Sequence, residues 1–215
     1  MHIHNERYAM VRTQLEQRGI YDKRVLDAMV SVPRHLFVSS ETQAQAYQDR
    51  ALPISEGQTI SQPFIVALMA QALVLTGDER VLEVGTGSGY AAAVLSRLAA
   101  EVYTVERWPS LAESAKRRLQ ELGYTNVQVS IGDGSAGLPE YAPFDGITVA
   151  AASPWVPRPL REQLGMHGRL VIPVGGHDEQ ILLRLTRQDT SMRIEQMSGV
   201  RFVPLIGQHA WEQPN

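Results

Sequence analysis

Apolar residues change their spacing along the chain, and each change marks an element. Tyr8, Val11 and Leu15 recur at helical intervals and predict a helix from about Glu6 to Gln17. Val25, Leu26, Met29 and Val30 predict a second helix, started by Asp22 as N-cap and stopped by Pro33. The polar stretch from Ser39 to Asp49 is expected to hold a short helix around Tyr47, and residues 51–63, with their prolines and glycine, read as an irregular loop. Pro63 then opens a helix through Phe64, Ile65, Leu68, Met69, Ala72 and Leu73, with Ser61 or Gln62 as its cap.

Beyond that helix the pattern alternates. Val81, Leu82 and Val84 form the short apolar run of a strand buried on both faces. It breaks at Gly85-Thr86-Gly87-Ser88-Gly89, after which Ala91 to Leu95 and Leu98 resume helical spacing. Further strands are expected at Glu101 to Glu106, Val127 to Ile131, Phe144 to Val149 and Arg169 to Val174, with helices from Leu111 to Leu122 and from Pro157 to Leu164. Two strands close the chain, Gln180 to Arg187 and Met192 to Val203. Repeated strand–helix units ending in a strand pair predict a doubly wound α/β fold: a mostly parallel sheet, an antiparallel strand at the C-terminal end and an N-terminal helical cap. No linker divides the chain, so residues 1–215 are expected to form one domain: helices and an active-site loop over 1–76, a cofactor-binding core over 77–175 and a β-rich tail over 176–215.

Composition narrows the chemistry. Lys and Arg number 20 against 23 Asp and Glu, a formal charge of −3, which argues against nucleic acid as a partner because phosphate binding needs clustered cations. With no cysteine and six histidines in no ligating pattern, no metal site is expected; His2-x-His4 reads as a solvated end. The start has no signal-peptide core and no run approaches membrane-spanning length, so a cytoplasmic protein without a membrane partner is the default expectation. A monomer is expected.

Strand, glycine turn and helix together bring backbone close to a nucleotide-like ligand at the carboxyl ends of the strands. The spacing here is G-x-G-x-G, with Tyr90 where a dinucleotide fingerprint has its third glycine and Glu83 inside the strand. Both departures favour an adenosyl ligand without a pyrophosphate, of which S-adenosylmethionine is the leading case. Glu106 stands at the interval of a ribose-binding acid, able to accept from two hydroxyls. Asp133 can accept from an exocyclic amine and Gly134 can offer an unobstructed N–H, and Trp108 can wall an adenine pocket.

Val81 to Tyr90 resembles motif I of the class I S-adenosylmethionine-dependent methyltransferases, a Rossmann-like group. With Gly57-Gln-Thr-Ile-Ser-Gln-Pro63, Val32-Pro-Arg-His-Leu-Phe37, Pro143-Phe-Asp145, Pro173-Val-Gly175 and Val200-Arg-Phe-Val-Pro-Leu205, the chain resembles the protein-L-isoaspartate O-methyltransferase family from about Met10 to Gly207. The segment 57–63 is the specific marker. The resemblance implies methyl transfer from S-adenosylmethionine to the free α-carboxylate of L-isoaspartyl residues in damaged proteins and peptides. It implies Ser61 as the active-site residue, Thr59 and Ile60 lining the pocket, and Glu83, Gly85, Gly87, Glu106, Asp133 and Gly134 holding the cofactor. Ala150 and Ile206 depart from the family pattern, which favours Thr or Gly at the first and Thr at the second. A methyltransferase acting on another small-molecule or peptide carboxylate, or a silent peptide-binding homologue, shares parts of the same pattern.

Overall fold

The computed structural model describes residues 2–212, with side chains from Asn5 onward; the side chains of His2 and His4 lie outside the described residues. Its elements are α1 (His2–Met10), α2 (Lys23–Ser31), β1 (Leu52–Pro53), β2 (Thr59–Ile60), α3 (Pro63–Leu73), β3 (Arg80–Val84), α4 (Tyr90–Leu95), β4 (Glu101–Glu106), α5 (Pro109–Glu121), β5 (Val127–Ile131), β6 (Phe144–Val149), α6 (Arg158–Glu162), β7 (Leu164–Gly175), β8 (Gln180–Arg187) and β9 (Met192–Val200). The large sheet runs β5-β4-β3-β6-β7-β8-β9, parallel from β5 through β7. Only β8 runs against its neighbours, pairing antiparallel with both β7 and β9. The expected doubly wound fold with its reversed C-terminal strand is present.

From β3 the chain first winds to β4 and β5, then returns to place β6 on the other side of β3. The connections on the two sides of β3 leave in opposite directions, which opens a crevice at the carboxyl ends of β3 and β6. Side chains alternate across β3: Val81 packs beneath the N-terminal helices, α3 and α4, whereas Leu82 and Val84 join the opposite layer with Tyr103, Val105, Ile147 and Leu170.

Several boundaries differ from the sequence expectation for local reasons. The first helix starts at His2 and continues past Met10 as a π turn (Val11–Leu15) and a 3-10 turn (Glu16–Arg18), closing on Gly19 at φ 93°. Asp22 caps α2 as expected, its carboxylate accepting from the Arg24 and Val25 N–H groups. The short helix expected around Tyr47 is a 3-10 turn at Gln43–Gln45. Gln62 is the N-cap residue of α3, yet its side chain makes no cap bond; its amide donates to Asp49 O at 3.2 Å instead. The expected loop at 51–63 contains an antiparallel pair, Leu52 opposite Ile60 and Pro53 opposite Thr59, because both apolar members are buried. The helix after Pro157 ends at Glu162, and β7 begins at Leu164, where Leu164 pairs with Phe144. The last strand stops at Val200, since the Phe202 N–H turns to the Gln180 side chain at 2.9 Å.

Candidate functional site

The glycine turn leaves β3 with Gly85 and Gly87 at φ 94° and 52°, left-handed values that disfavour a side chain. Opposite it the β1–β2 pair folds over, with Ile54 3.5 Å from the point where a Gly87 Cβ would stand. Ser110 ties the pair down by donating to Glu56 at 2.6 Å. Between turn and pair lies a cavity of about 340 Å³.

Of the residues expected to hold the cofactor, Thr59, Ile60, Glu83, Gly85, Gly87, Glu106 and Gly134 all line this cavity, as does Ser61. Asp133 does not. Its Oδ1 accepts from the Ser135 N–H and hydroxyl at 2.9 and 2.7 Å, and its Oδ2 from the Gln208 N–H at 2.7 Å. Burial alone would raise the Asp133 carboxyl; the bonds from Ser135 and Gln208 outweigh it and hold the group below the ordinary aspartate value.

Glu83 is 1% exposed. Parallel register sets it between Thr104 on β4 and Thr148 on β6, all on one face of the sheet. The Thr104 hydroxyl donates to Glu83 Oε2 at 2.7 Å and, its proton thus used, accepts from Thr86 at 2.6 Å. Glu83 Oε1 is buried without a partner. Desolvation pushes this carboxyl up to about 8, with the Thr104 bond opposing and the Glu106 charge adding to the rise. Glu106 is also buried, and it accepts from the Gly87 N–H at 2.9 Å and the Trp108 N–H at 3.1 Å. The same acid that faces the cavity therefore fixes the glycine turn.

Four features of the site escaped the sequence pattern. Thr104 is visible only through strand register. Tyr90, read as a departure from a glycine fingerprint, is buried with its ring edge-on to Phe37 and the Arg34 guanidinium 4.8 Å above it, so it bolts the helical cap to the glycine turn. Ser135 is wholly buried under the C-terminal segment. Val203 to Ile206, marked in the sequence only by the family resemblance of Val200 to Leu205 and the departure at Ile206, wall the cavity from the far end of the chain, a placement that hydrophobic spacing does not give. Trp108 does line the cavity, its Nε1 buried and unpartnered.

A second, open groove of about 860 Å³ adjoins the first. One wall carries Arg18, Gln62 and Phe64 from the N-terminal cap; the other carries Gly175, Asp178 to Ile181 and Ser198 to Val203 from the C-terminal segment. Thr59, Ser61, Ala150 and Val203 border both spaces. Ala150 and Ile206, the two departures, both face the cofactor cavity.

A family model described as protein-L-isoaspartate(D-aspartate) O-methyltransferase matches residues 5–210. A protein-L-isoaspartate O-methyltransferase of Roseiflexus sp. (strain RS-1) is 65% identical over 207 residues, spanning 96% of this chain and 94% of the relative. The protein of that description from Protochlamydia amoebophila is 55% identical over 205 residues, 94% of this chain and 98% of its own. Among solved structures, a protein-L-isoaspartate O-methyltransferase aligns with a TM-score of 0.85 at 29% identity, over 96% of this chain and 67% of that one. A Plasmodium falciparum structure described as this kind of methyltransferase, in complex with S-adenosyl-L-homocysteine, aligns with a TM-score of 0.81 at 25% identity over 93% of this chain and 98% of its own.

Proposed function

The chain belongs to the protein-L-isoaspartate(D-aspartate) O-methyltransferase family, and from that membership we propose that it methylates the free α-carboxylate of L-isoaspartyl residues in damaged proteins and peptides, using S-adenosylmethionine. One observation carries the reading to this molecule: a partly enclosed cavity that gathers the expected adenosyl-binding residues adjoins a peptide-sized groove, with Ser61 on the border of both. Ser61, with Thr59, Ala150 and Val203, lies on the border that a methyl group would cross between the two spaces.

The residues present suit the cofactor. Glu83 Oε1 is buried without a hydrogen-bond partner, and a cationic ligand would supply one and favour the ionised carboxylate. Glu106 keeps free lone pairs beside the glycine turn for ribose hydroxyls, and Gly134 presents bare backbone. Thr59 and Ile60 close the cavity from above, and Asp133 holds Gly134 in place through the Ser135 turn. Bound there, S-adenosylmethionine supplies an electrophilic methyl group on positively charged sulfur.

The chain itself has little proton transfer to perform. A carboxyl nucleophile with an ordinary value of about 4 is ionised at neutral pH and needs no general base. Positive charge on the ligand and negative charge on the substrate both vanish as the ester forms, so a strong cationic clamp would stabilise reactants more than the transition state. Ser61, a neutral donor at the junction, suits the task of orienting the carboxylate. Alignment of this kind is worth up to roughly 7–11 kcal/mol. The reading extends to a monomer in the cytoplasm; the cysteine-free composition is compatible with a reducing compartment, and among the described residues no helix is long and apolar enough to cross a membrane.

Replacing Ser61 tests the assignment. Ser61→Ala should lower kcat on an isoaspartyl peptide substantially while S-adenosyl-L-homocysteine binding stays close to wild type, and Ser61→Thr should keep part of the activity. A fully active Ser61→Ala, or a methylated Ser61 intermediate, would contradict it. The loss should stay far below the roughly million-fold cost of deleting a covalent nucleophile.

A further inference from the structure

The segment from Val203 to Trp211 crosses the cofactor cavity as a strap held at both ends. At its inner end Ala152 grips it through two backbone bonds, Ala152 N to Val203 O at 2.8 Å and Leu205 N to Ala152 O at 2.7 Å. From that inner grip outward, Val203 to Ile206 line the cavity.

The outer grip is made by side chains. The wholly buried Ser135 hydroxyl donates to Asp133 Oδ1 at 2.7 Å and accepts from the His209 N–H at 3.0 Å. Asp133 Oδ2 takes the Gln208 N–H at 2.7 Å, and Trp155 Nε1 donates to His209 O at 3.0 Å. Gly207 lets the strap lie this close: a Cβ there would stand 2.0 Å from Asp133 Oδ1 and 2.5 Å from Ser135 Oγ. Gly134, between the two gripping residues, itself lines the cavity. One tripeptide thus faces the ligand space with its centre and holds the roof of that space with its flanks.

We infer that Ser135, with Trp155, is a positioning residue for the adenosyl cofactor: it clasps the strap at the distance that closes the cavity, and it touches neither the reacting atoms nor the peptide groove. The inference rests on the methyltransferase reading, since it assigns the roofed cavity to that cofactor. It distinguishes the clasp from ordinary tail packing, because loosening it should change cofactor affinity and leave the peptide side alone.

The test compares wild type, Ser135→Ala and Trp155→Phe by calorimetric titration with S-adenosyl-L-homocysteine and by steady-state kinetics on an isoaspartyl peptide. Losing the two bonds of the buried Ser135 hydroxyl should weaken the homocysteine ligand and raise KM for S-adenosylmethionine on the order of ten-fold in Ser135→Ala. In Trp155→Phe, where the ring is more than half exposed, the loss should be about three-fold, towards the low end for one hydrogen bond. KM for the peptide, and kcat at saturating cofactor, should stay within about two-fold in both, as expected when only cofactor binding is lost. A general loosening of the fold would move all four quantities together and would overturn the inference. So would unchanged ligand affinity in Ser135→Ala; should that variant not fold, unchanged affinity in Trp155→Phe overturns it instead. Wild-type protein that binds no S-adenosyl-L-homocysteine would overturn the methyltransferase reading and the clasp together.

Discussion

Replacing Glu83 by glutamine should make the protein more stable and a poorer methyltransferase at once. The carboxyl sits wholly out of water, and burial raises it from 4.5 to about 8. The unfolded chain ionises this group near 4.5 while the native state keeps it protonated until about pH 8, so folding takes up a proton between those values. Native stability therefore falls as pH rises through that window and is fully penalised above it. At about 1.36 kcal/mol per pH unit, the penalty reaches an upper bound of about 5 kcal/mol above pH 8 and about 3 kcal/mol at pH 7. Glutamine keeps the shape and still accepts the Thr104 hydroxyl, but it has no proton to take up. Thermal unfolding at pH 5, 7 and 8.5 checks this. Glu83→Gln should gain little at pH 5 and progressively more above it, at about 2–4 °C per kcal/mol for a chain of this size. A cation bound beside Glu83 draws its proton off, so wild-type affinity for S-adenosylmethionine should tighten as pH rises toward 8, and that dependence should vanish in the variant. A stability difference that does not vary with pH, or a less stable variant at pH 8.5, would refute the reasoning.

Other substitutions probe the remaining contacts. Glu106→Ala strands the Gly87 and Trp108 N–H groups as well as the ligand, and should weaken S-adenosyl-L-homocysteine by about 1–3 kcal/mol in a calorimetric titration. Asp133→Ala should weaken the same ligand by about 1–3 kcal/mol and also lower the melting temperature; unchanged affinity in both the Glu106 and Asp133 variants would remove these residues from the site. Because the folded Asp133 carboxyl lies below its ordinary value, its contribution is present above about pH 4 and lost as pH falls through the folded value, which an acid titration of wild type against Asp133→Asn detects. Gly134→Ala puts a Cβ 2.5 Å from Val84 Cγ1, so it should cost cofactor affinity through a displaced strand end, measurable as a raised KM for S-adenosylmethionine.

What was legible in the sequence was whatever lay within one strand–turn–helix unit. Val81 to Gly89 announced its own geometry, and Glu106 and Gly134 could be placed because parallel strands deliver their carboxyl ends to a single crevice. The Leu52–Ile60 pair was hidden by the prolines and glycine around it, since pairing there depends on tertiary burial of its two apolar members. Strand β7 outran its expected start because Gly165 and Gly168 allow close approach to β6, a cross-strand property with no local signal. Thr104 and Ser135 were hidden for the same reason: their partners lie 21 and 74 residues away, at Glu83 and His209. Asp133 was placed at the right strand end, but its carboxylate turns to the strap, which only tertiary structure decides.

The central claim is that this site methylates an isoaspartyl carboxylate, and one assay confronts it directly. Purified protein is given S-adenosylmethionine labelled in its methyl group, together with a peptide containing one L-isoaspartyl residue or with its twin containing normal aspartate. Base-labile methyl ester should appear on the isoaspartyl peptide, at a rate that saturates in both substrates, and stay at background on the normal twin. Equal labelling of the two peptides, or none on either by protein that binds S-adenosyl-L-homocysteine, would contradict the account.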